Sequence, residues 1–245
     1  SRKVLSTPDD YGRGIVAGLS QALAECGAGP EDVESIVHAT TVATNAILER
    51  QGALTGLVTT RGFRDVLDMR RLRIPEMYVL NYPKPEPLVP RRLRLEIDER
   101  LGPLGEVRRE LNEQSVEQAG QRLKAAGVEA VAISLLHAYA NPDHERRVAE
   151  ILRQHLESAF ITCSSDILPL IREYERTSTT VINAYLGPIL ERYFVSLSRH
   201  LGKAGIRAPL QVMKSDGGTM SLAAAAERPA YIVESGPAAG VIGAA

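Results

Sequence analysis

Two kinds of apolar pattern alternate along this chain. Short, nearly unbroken runs rich in β-branched residues read as strands covered on both faces. Longer stretches, apolar at every third and fourth position, read as helices. The strand candidates are 33–37, 54–59, 130–136, 160–163 and 210–214, with a short one at 232–233. The helix candidates are 8–26, 42–50, 115–126, 142–156 and 170–201. Ser6, Thr7 and Pro8 supply a hydroxyl cap and a first-turn proline for the first helix. Gly27, Gly52 and Gly127 stop helices, and Gly187-Pro188 predicts a kink or a split in the longest one. Leu93, Leu95 and Ile97 alternate with charged residues, as in a strand with one exposed face.

Strands alternating with helices predict an α/β fold with mostly parallel or mixed sheets flanked by helices. The pattern breaks once. Pro75, Pro83, Pro85, Pro87 and Pro90 are five of the chain's 14 prolines, so 75–90 reads as an extended insert. A division follows: a first α/β section over 1–110, which includes that insert, and a second over 111–245. The second ends in a helix of small residues opened by Ser235-Gly236-Pro237. The chain lacks an initiating Met and stops within that helix, which reads as a piece of a longer polypeptide.

Composition narrows the classes. A chain of 245 residues with 44% hydrophobic residues can bury a sizeable core. A formal net charge of -1 gives no bulk pull toward nucleic acid or membrane. Cys26 and Cys163 form no CxxC pair and fit a reducing compartment, with a bridge between them left open. No apolar run reaches the roughly 20 residues that span a bilayer, and no leader is visible. The expectation is a cytoplasmic protein with neither a nucleic-acid nor a membrane partner.

Candidate chemistry gathers in loops that leave strands, where ligands bind in α/β proteins. His38, Thr40, Thr41, Thr44 and Asn45 follow the first strand. They read either as a ligand loop at a helix N-terminus or as a capped helix with Thr40 or Thr41 at the N-cap. Arg61 and Asp65 follow the second strand: Arg61 is an anion clamp or half of an arginine–aspartate pair. Glu173, Glu175 and Arg176 open the long helix. Two residues apart, the glutamates cannot share one helical face. Asp216 and Gly217 form a glycine-bearing loop or an ordinary turn. No Walker A, GxSxG or HExxH sequence is present, nor any Cys/His metal spacing.

Seven stretches, in order, resemble one family along the entire chain. They are HATTVATNAILERQGA from His38, TTRGFRDVLDMRR from Thr59, PLVPRRLRLEIDER from Pro87 and SLLHAYANPDHE from Ser134. SSDILPLIREYERTSTTVINAYLGP from Ser164, MKSDGGTM from Met213 and ESGPAAGVIGAA from Glu234 complete the set. The family is that of hydantoinase A and 5-oxoprolinase, related to subunits of acetone and acetophenone carboxylases. The resemblance implies a branch of the actin-like ATPase superfold, shared with acetate and sugar kinases and Hsp70. It implies ATP with Mg2+ in the full-length protein, a small cyclic amide as substrate and a hydantoinase B-type partner subunit or domain, with a homo-oligomer possible in principle. The amide carbonyl would be phosphorylated before ring opening. The family's two phosphate loops and its adenosine motif are not in this sequence, so no cofactor is expected on this segment, which is expected to be inactive alone. No metal ligand is assigned. Thr41, Thr44, Asn45, Arg61 and Asp65 are the expected substrate-binding residues, with Arg176, Asp216 and Gly217 behind them, and Glu173 is the candidate catalytic group. The alternatives are an ATP-dependent carboxylase subunit and a non-enzymatic actin-like interaction module.

Overall fold

The computed structural model describes residues 3–5, 7, 9–71, 79, 81–82 and 84–244. In chain order the first elements are α1 (Tyr11–Cys26), β1 (Ile36–His38), α2 (Val42–Leu48), β2 (Thr55–Thr60) and α3 (Val66–Met69). Then come β3 (Arg94–Ile97), β4 (Arg100–Leu101), β5 (Val107–Arg109), α4 (Glu113–Ala125), β6 (Ala130–Ser134) and α5 (Asp143–His155). The last are β7 (Phe160–Cys163), α6 (Ser164–Ile167), α7 (Glu173–Lys203), β8 (Leu210–Met213), β9 (Thr219–Ser221), α8 (Leu222–Glu227) and α9 (Ser235–Ala244). The contacts group into two units, Ser1–Gln51 with Ile189–Ala245, and Gly52–Pro188.

The second unit is a four-stranded, wholly parallel sheet in the order β3-β2-β6-β7. Every residue of β2 and β6 is buried. That is the requirement on parallel strands covered by helices on both faces; β6 meets it with a nearly all-apolar run, and β2 also buries Thr55, Thr59 and Thr60. Leu57, Val58, Val131 and Ile133 meet Leu123 of α4 and Val148 and Leu152 of α5 in one core. The antiparallel ribbon β4–β5 pairs Arg100 with Arg109.

The first unit is smaller. Its sheet has the order β1-β8-β9, parallel in the first pair and antiparallel in the second. Leu197, Leu201 and Ile206 pack with Ile15, Leu19, Leu23, Ile36 and Leu210. Asp10 precedes α1 and accepts hydrogen bonds from Ser196 Oγ at 2.8 Å, with His200 Nε2 also at 2.8 Å, so α1 is tied to the C-terminal part of α7. These partners hold the Asp10 carboxyl below its ordinary range.

The structure corrects several expectations. A boundary near 110 would cut the sheet, because β2 on one side of it pairs with β6 on the other. The first unit is also discontinuous in sequence. Strand β1 begins at Ile36, because residues 30–32 close a 3-10 turn that ends at Val33. Ile232 lies in a second such turn, Pro229–Ile232, and forms no strand. Helix α1 starts at Tyr11; Pro8, Pro75 and Pro83 lie outside the described residues. Strand β3 has no exposed face: Leu95 and Ile97 are buried on one side, and Arg94 is 2% exposed on the other. Its guanidinium donates to the Val89 carbonyl and pairs with Asp68. Helix α7 is not split at Gly187-Pro188 but continues through Pro188 as one 31-residue helix. The adjoining Gly187 is needed for close approach, since a Cβ there would lie 2.5 Å from the Phe160 ring. Cys26 and Cys163 are both free thiols. Among the described residues no helix is long and apolar enough to cross a membrane.

Candidate functional site

The chain leaves β1 at His38 and enters α2 at Val42, so the hydroxyl-rich loop sits at the carboxyl end of a parallel strand. It is anchored by Ser235, the fully buried first residue of α9. Ser235 Oγ accepts the Thr40 N–H at 3.2 Å and donates to the Thr40 carbonyl at 3.0 Å. One hydroxyl thereby satisfies both main-chain groups of Thr40, which would otherwise be buried without partners.

The Thr40 side chain continues inward. Its Oγ1 accepts the Val42 N–H at 3.2 Å and also reaches the phenol of Tyr193. Tyr193 Oη lies 2.6 Å from Nε2 of His38. Burial pushes the His38 imidazole down to about 4 and the Tyr193 phenol up to about 12. Near neutral pH the ring is therefore uncharged and the phenol protonated. The proton arrangement that satisfies each group runs from the Thr40 O–H to Tyr193 and from the Tyr193 O–H to His38.

Beside this chain of hydroxyls is a cleft of about 340 Å³. Val4, Leu5, Ile15 and Val42 form apolar walls, and Thr41 and Asn45 add polar groups at its edge. Among the described lining residues none is Asp, Glu, Lys or Arg. Thr41 occupies the N-cap position of α2, yet its side chain makes no capping bond. Its side chain lines the cleft.

The other expected site residues are distributed as follows. Thr44 Oγ1 accepts the Glu234 N–H at 3.0 Å, which steadies a non-glycine residue at φ 65°. Asp216 takes Lys214 Nζ at 2.9 Å and the Gly218 N–H at 2.9 Å, and Gly217 sits at φ 85°. The two residues close the β8–β9 hairpin, which is the turn reading. In the second unit Asp65 forms a two-point pair with Arg91, at 2.8 and 3.0 Å, and not with Arg61. That pair holds the Asp65 carboxyl down. Arg61 stands 4.0 Å from Asp98, which is already held by Arg109 at 2.6 Å. Arg176 is 1% exposed; it donates to the carbonyls of Leu170 and Leu135, each at 2.8 Å, and stacks on Tyr139. It positions main chain within its unit.

Glu173 lines a second cavity, of about 460 Å³, within the second unit. Gly62 and Phe63, which leave β2, border it, with Arg70, Arg71 and residues 172–175. Of the expected residues, then, the structure gathers Thr41 and Asn45 in one cleft and places Glu173 in another. Sequence reading missed Tyr193 and the anchoring role of Ser235. A tyrosine in a long helix reads as core, and a serine before Gly-Pro reads as a cap.

The architecture is α/β, with parallel and mixed sheets flanked by helices, of the actin-like ATPase class. Within it, this chain belongs to the hydantoinase/oxoprolinase family. Residues 1–156 match the hydantoinase/oxoprolinase N-terminal region, and residues 176–245 match the hydantoinase/oxoprolinase domain. An uncharacterized protein of Methanocaldococcus jannaschii is 38% identical over 99% of this chain and 36% of its own length. Caprolactamase subunit alpha of Pseudomonas jessenii is 35% identical over 96% of this chain and 35% of its own length. The crystal structure of that ATP-dependent caprolactamase superposes with a TM-score of 0.88, at 34% identity, over 97% of this chain and 35% of that one. The nucleotide-free structure of acetone carboxylase also gives 0.88, at 30% identity, over 98% of this chain and 36% of that one. The chain thus spans 35–36% of the length of these relatives.

Proposed function

We propose that this chain carries the amide-binding cleft of an ATP-dependent cyclic-amide hydrolase. The absence of formal charge among the described lining residues of the Thr41–Asn45 cleft is the observation that supports this reading. A cyclic amide is a neutral ring with one N–H donor and one carbonyl acceptor. Hydroxyls, a carboxamide, a protonated phenol and a neutral imidazole can pair both groups, while Val4, Leu5 and Ile15 cover the ring's hydrocarbon. A free carboxylate or phosphate would enter without a counter-charge and lose its hydration.

In the whole protein, ATP would supply the phosphoryl group that activates the amide oxygen, and a hydantoinase B-type partner would assist the hydrolysis. The residues described here do not fit the nucleotide. The cleft offers no described cation to a triphosphate. No cluster of three His, Cys, Asp or Glu side chains among the described residues could hold magnesium. Nucleotide steps are therefore assigned to none of these residues. What this chain's residues do is bind and orient: Thr41 and Asn45 at the edge of the cleft, with the Tyr193–His38 pair deeper in it.

The test is ATP hydrolysis by the intact protein with its partner, across a panel of hydantoin, ε-caprolactam, 5-oxoproline, and acetone with bicarbonate. Stimulation by the neutral rings, stronger than by the carboxylate-bearing 5-oxoproline, is expected. Asn45→Ala should raise KM about fivefold, the effect of one lost hydrogen bond. Stimulation by acetone with bicarbonate and by no amide would establish a carboxylase instead. No stimulated hydrolysis at all would leave an interaction module. The isolated 245-residue chain is expected to turn over no ATP above a heat-killed control.

A further inference from the structure

The cavity of the second unit has the opposite chemistry. It lies where the chain leaves the carboxyl end of β2, the customary ligand position for a parallel sheet. Five of its lining residues are charged: Arg70, Arg71, Arg172, Glu173 and Glu175. Two of these cancel, because Arg71 Nε donates to Glu175 Oε1 at 2.6 Å. Arg70 donates to the Pro85 carbonyl. Arg172 Nη1 comes no closer than 4.0 Å to the same Glu175 oxygen that Arg71 holds, and it stays 74% exposed. Glu173 is half-buried and has no hydrogen-bond or ion-pair partner among the described residues. Arg70 keeps its charge in that bond, so a loosely held Arg172 and an unpaired Glu173 carboxylate stand side by side on a cavity wall that also carries the Arg70 cation.

The start of α7 explains only half of this. A helix N-terminus favours Glu173 and disfavours the cation at Arg172. Arg70 adds a second irregularity, a non-glycine residue at φ 55° where α3 ends, a conformation that costs about 1–3 kcal/mol and gathers at ligand sites. The cavity's composition also selects among ligands. A plain anion that meets Arg172 is repelled by Glu173, and a plain cation that meets Glu173 is repelled by Arg172. Phe63, Met69 and Tyr174 supply hydrocarbon surface beside the charges.

We infer that this cavity binds a small zwitterion: its carboxylate on Arg172, its ammonium on Glu173, its carbon chain along Phe63 and Tyr174. The site is separate from the amide cleft, and its test requires neither ATP nor turnover, so either assignment can fail without the other. The 245-residue chain is titrated, by calorimetry and by NMR, with ω-amino acids from glycine to 6-aminohexanoate. The alkanoate and the alkylamine of each length, and inorganic phosphate, serve as comparisons. At least one amino acid should bind saturably, about fivefold or more tighter than its alkanoate and its alkylamine. Glu173→Gln should abolish the preference over the alkanoate, and Arg172→Gln the preference over the alkylamine. Both side chains are accessible, so unchanged circular dichroism confirms that the variants fold. No saturable binding of any amino acid, phosphate binding as tight as the best of them, or full affinity in both variants would overturn the assignment.

Discussion

Tyr193 Oη and His38 Nε2 meet at 2.6 Å between α7 and the end of β1. The contact joins a helix residue to a strand residue 155 positions away. Burial sets the protonation state of this pair: the His38 ring, pushed down to about 4, stays neutral near neutral pH.

That ring makes stability depend on pH. Its ordinary value is 6.5, so the unfolded chain takes up the proton first as pH falls. Protonation therefore favours unfolding, and stability should fall from about pH 6.5 down to about 4, by at most about 3 kcal/mol. Urea unfolding at a series of pH values measures the slope. His38→Gln should remove that component of it, and an unchanged slope in the variant would show that His38 is not the titrating group.

The Ser235–Thr40 pair is a matter of unsatisfied main chain. Ser235→Ala removes both the acceptor of the Thr40 N–H and the donor to its carbonyl. Ser235 is 0% and Thr40 8% exposed, so water gives limited relief. The expected loss is about 1–3 kcal/mol, read as a lower urea midpoint with the slope m unchanged. Cysteine, with its weak donor, should restore little of it.

Glu145 is the counterpart in the second unit. Its carboxylate is completely buried and accepts the Leu135 N–H at 2.9 Å, the Ser164 hydroxyl at 2.6 Å and the Ser165 N–H at 2.9 Å. It thereby ties the loop after β6 to the start of α6. Burial pushes the carboxyl up while these donors oppose the shift. Glu145→Ala strands three donors at once and should cost at least about 3 kcal/mol, a large share of a domain's usual 5–15 kcal/mol. Amide exchange along β6 and β7 should rise with it; protection unchanged from wild type would contradict the tie.

Where the sequence was legible, the reason is local. Strand β7 matches its expected bounds because an apolar run, a preceding turn and a following polar pair all agree. The parallel sheet was legible from the nearly unbroken apolar run at β6 and the alternation of strands with helices. What was not legible is long-range. Nothing near residue 51 or 188 announces that Ser1–Gln51 and Ile189–Ala245 belong to one unit. Gly187-Pro188 reads as a helix breaker until the Phe160 ring against it supplies the reason for the glycine. The hydroxyl loop reads as a candidate site from sequence, but its threonines could not be ranked. Thr44 is taken up by Glu234 N–H and Thr40 by Val42 and Tyr193, while Thr41 lines the cleft with no capping bond.

Gly236 separates packing from function at that same threonine. A Cβ at Gly236 would lie 2.8 Å from Thr41 Cγ2 and 3.7 Å from the Thr40 carbonyl, so Thr41 must turn. Forcing that side chain off its position costs about 0.5–1.5 kcal/mol. Alanine in place of glycine early in α9 returns up to about 1 kcal/mol of helix propensity. The two nearly cancel, so Gly236→Ala should leave the urea midpoint almost where it was. The Thr41 hydroxyl, however, no longer points where a ligand would meet it. In the intact protein KM for a neutral cyclic amide should rise about fivefold, one hydrogen bond's share, with kcat little changed. A loss of several kcal/mol in stability with KM unaltered would make Gly236 a packing residue alone and would remove Thr41 from the candidate site.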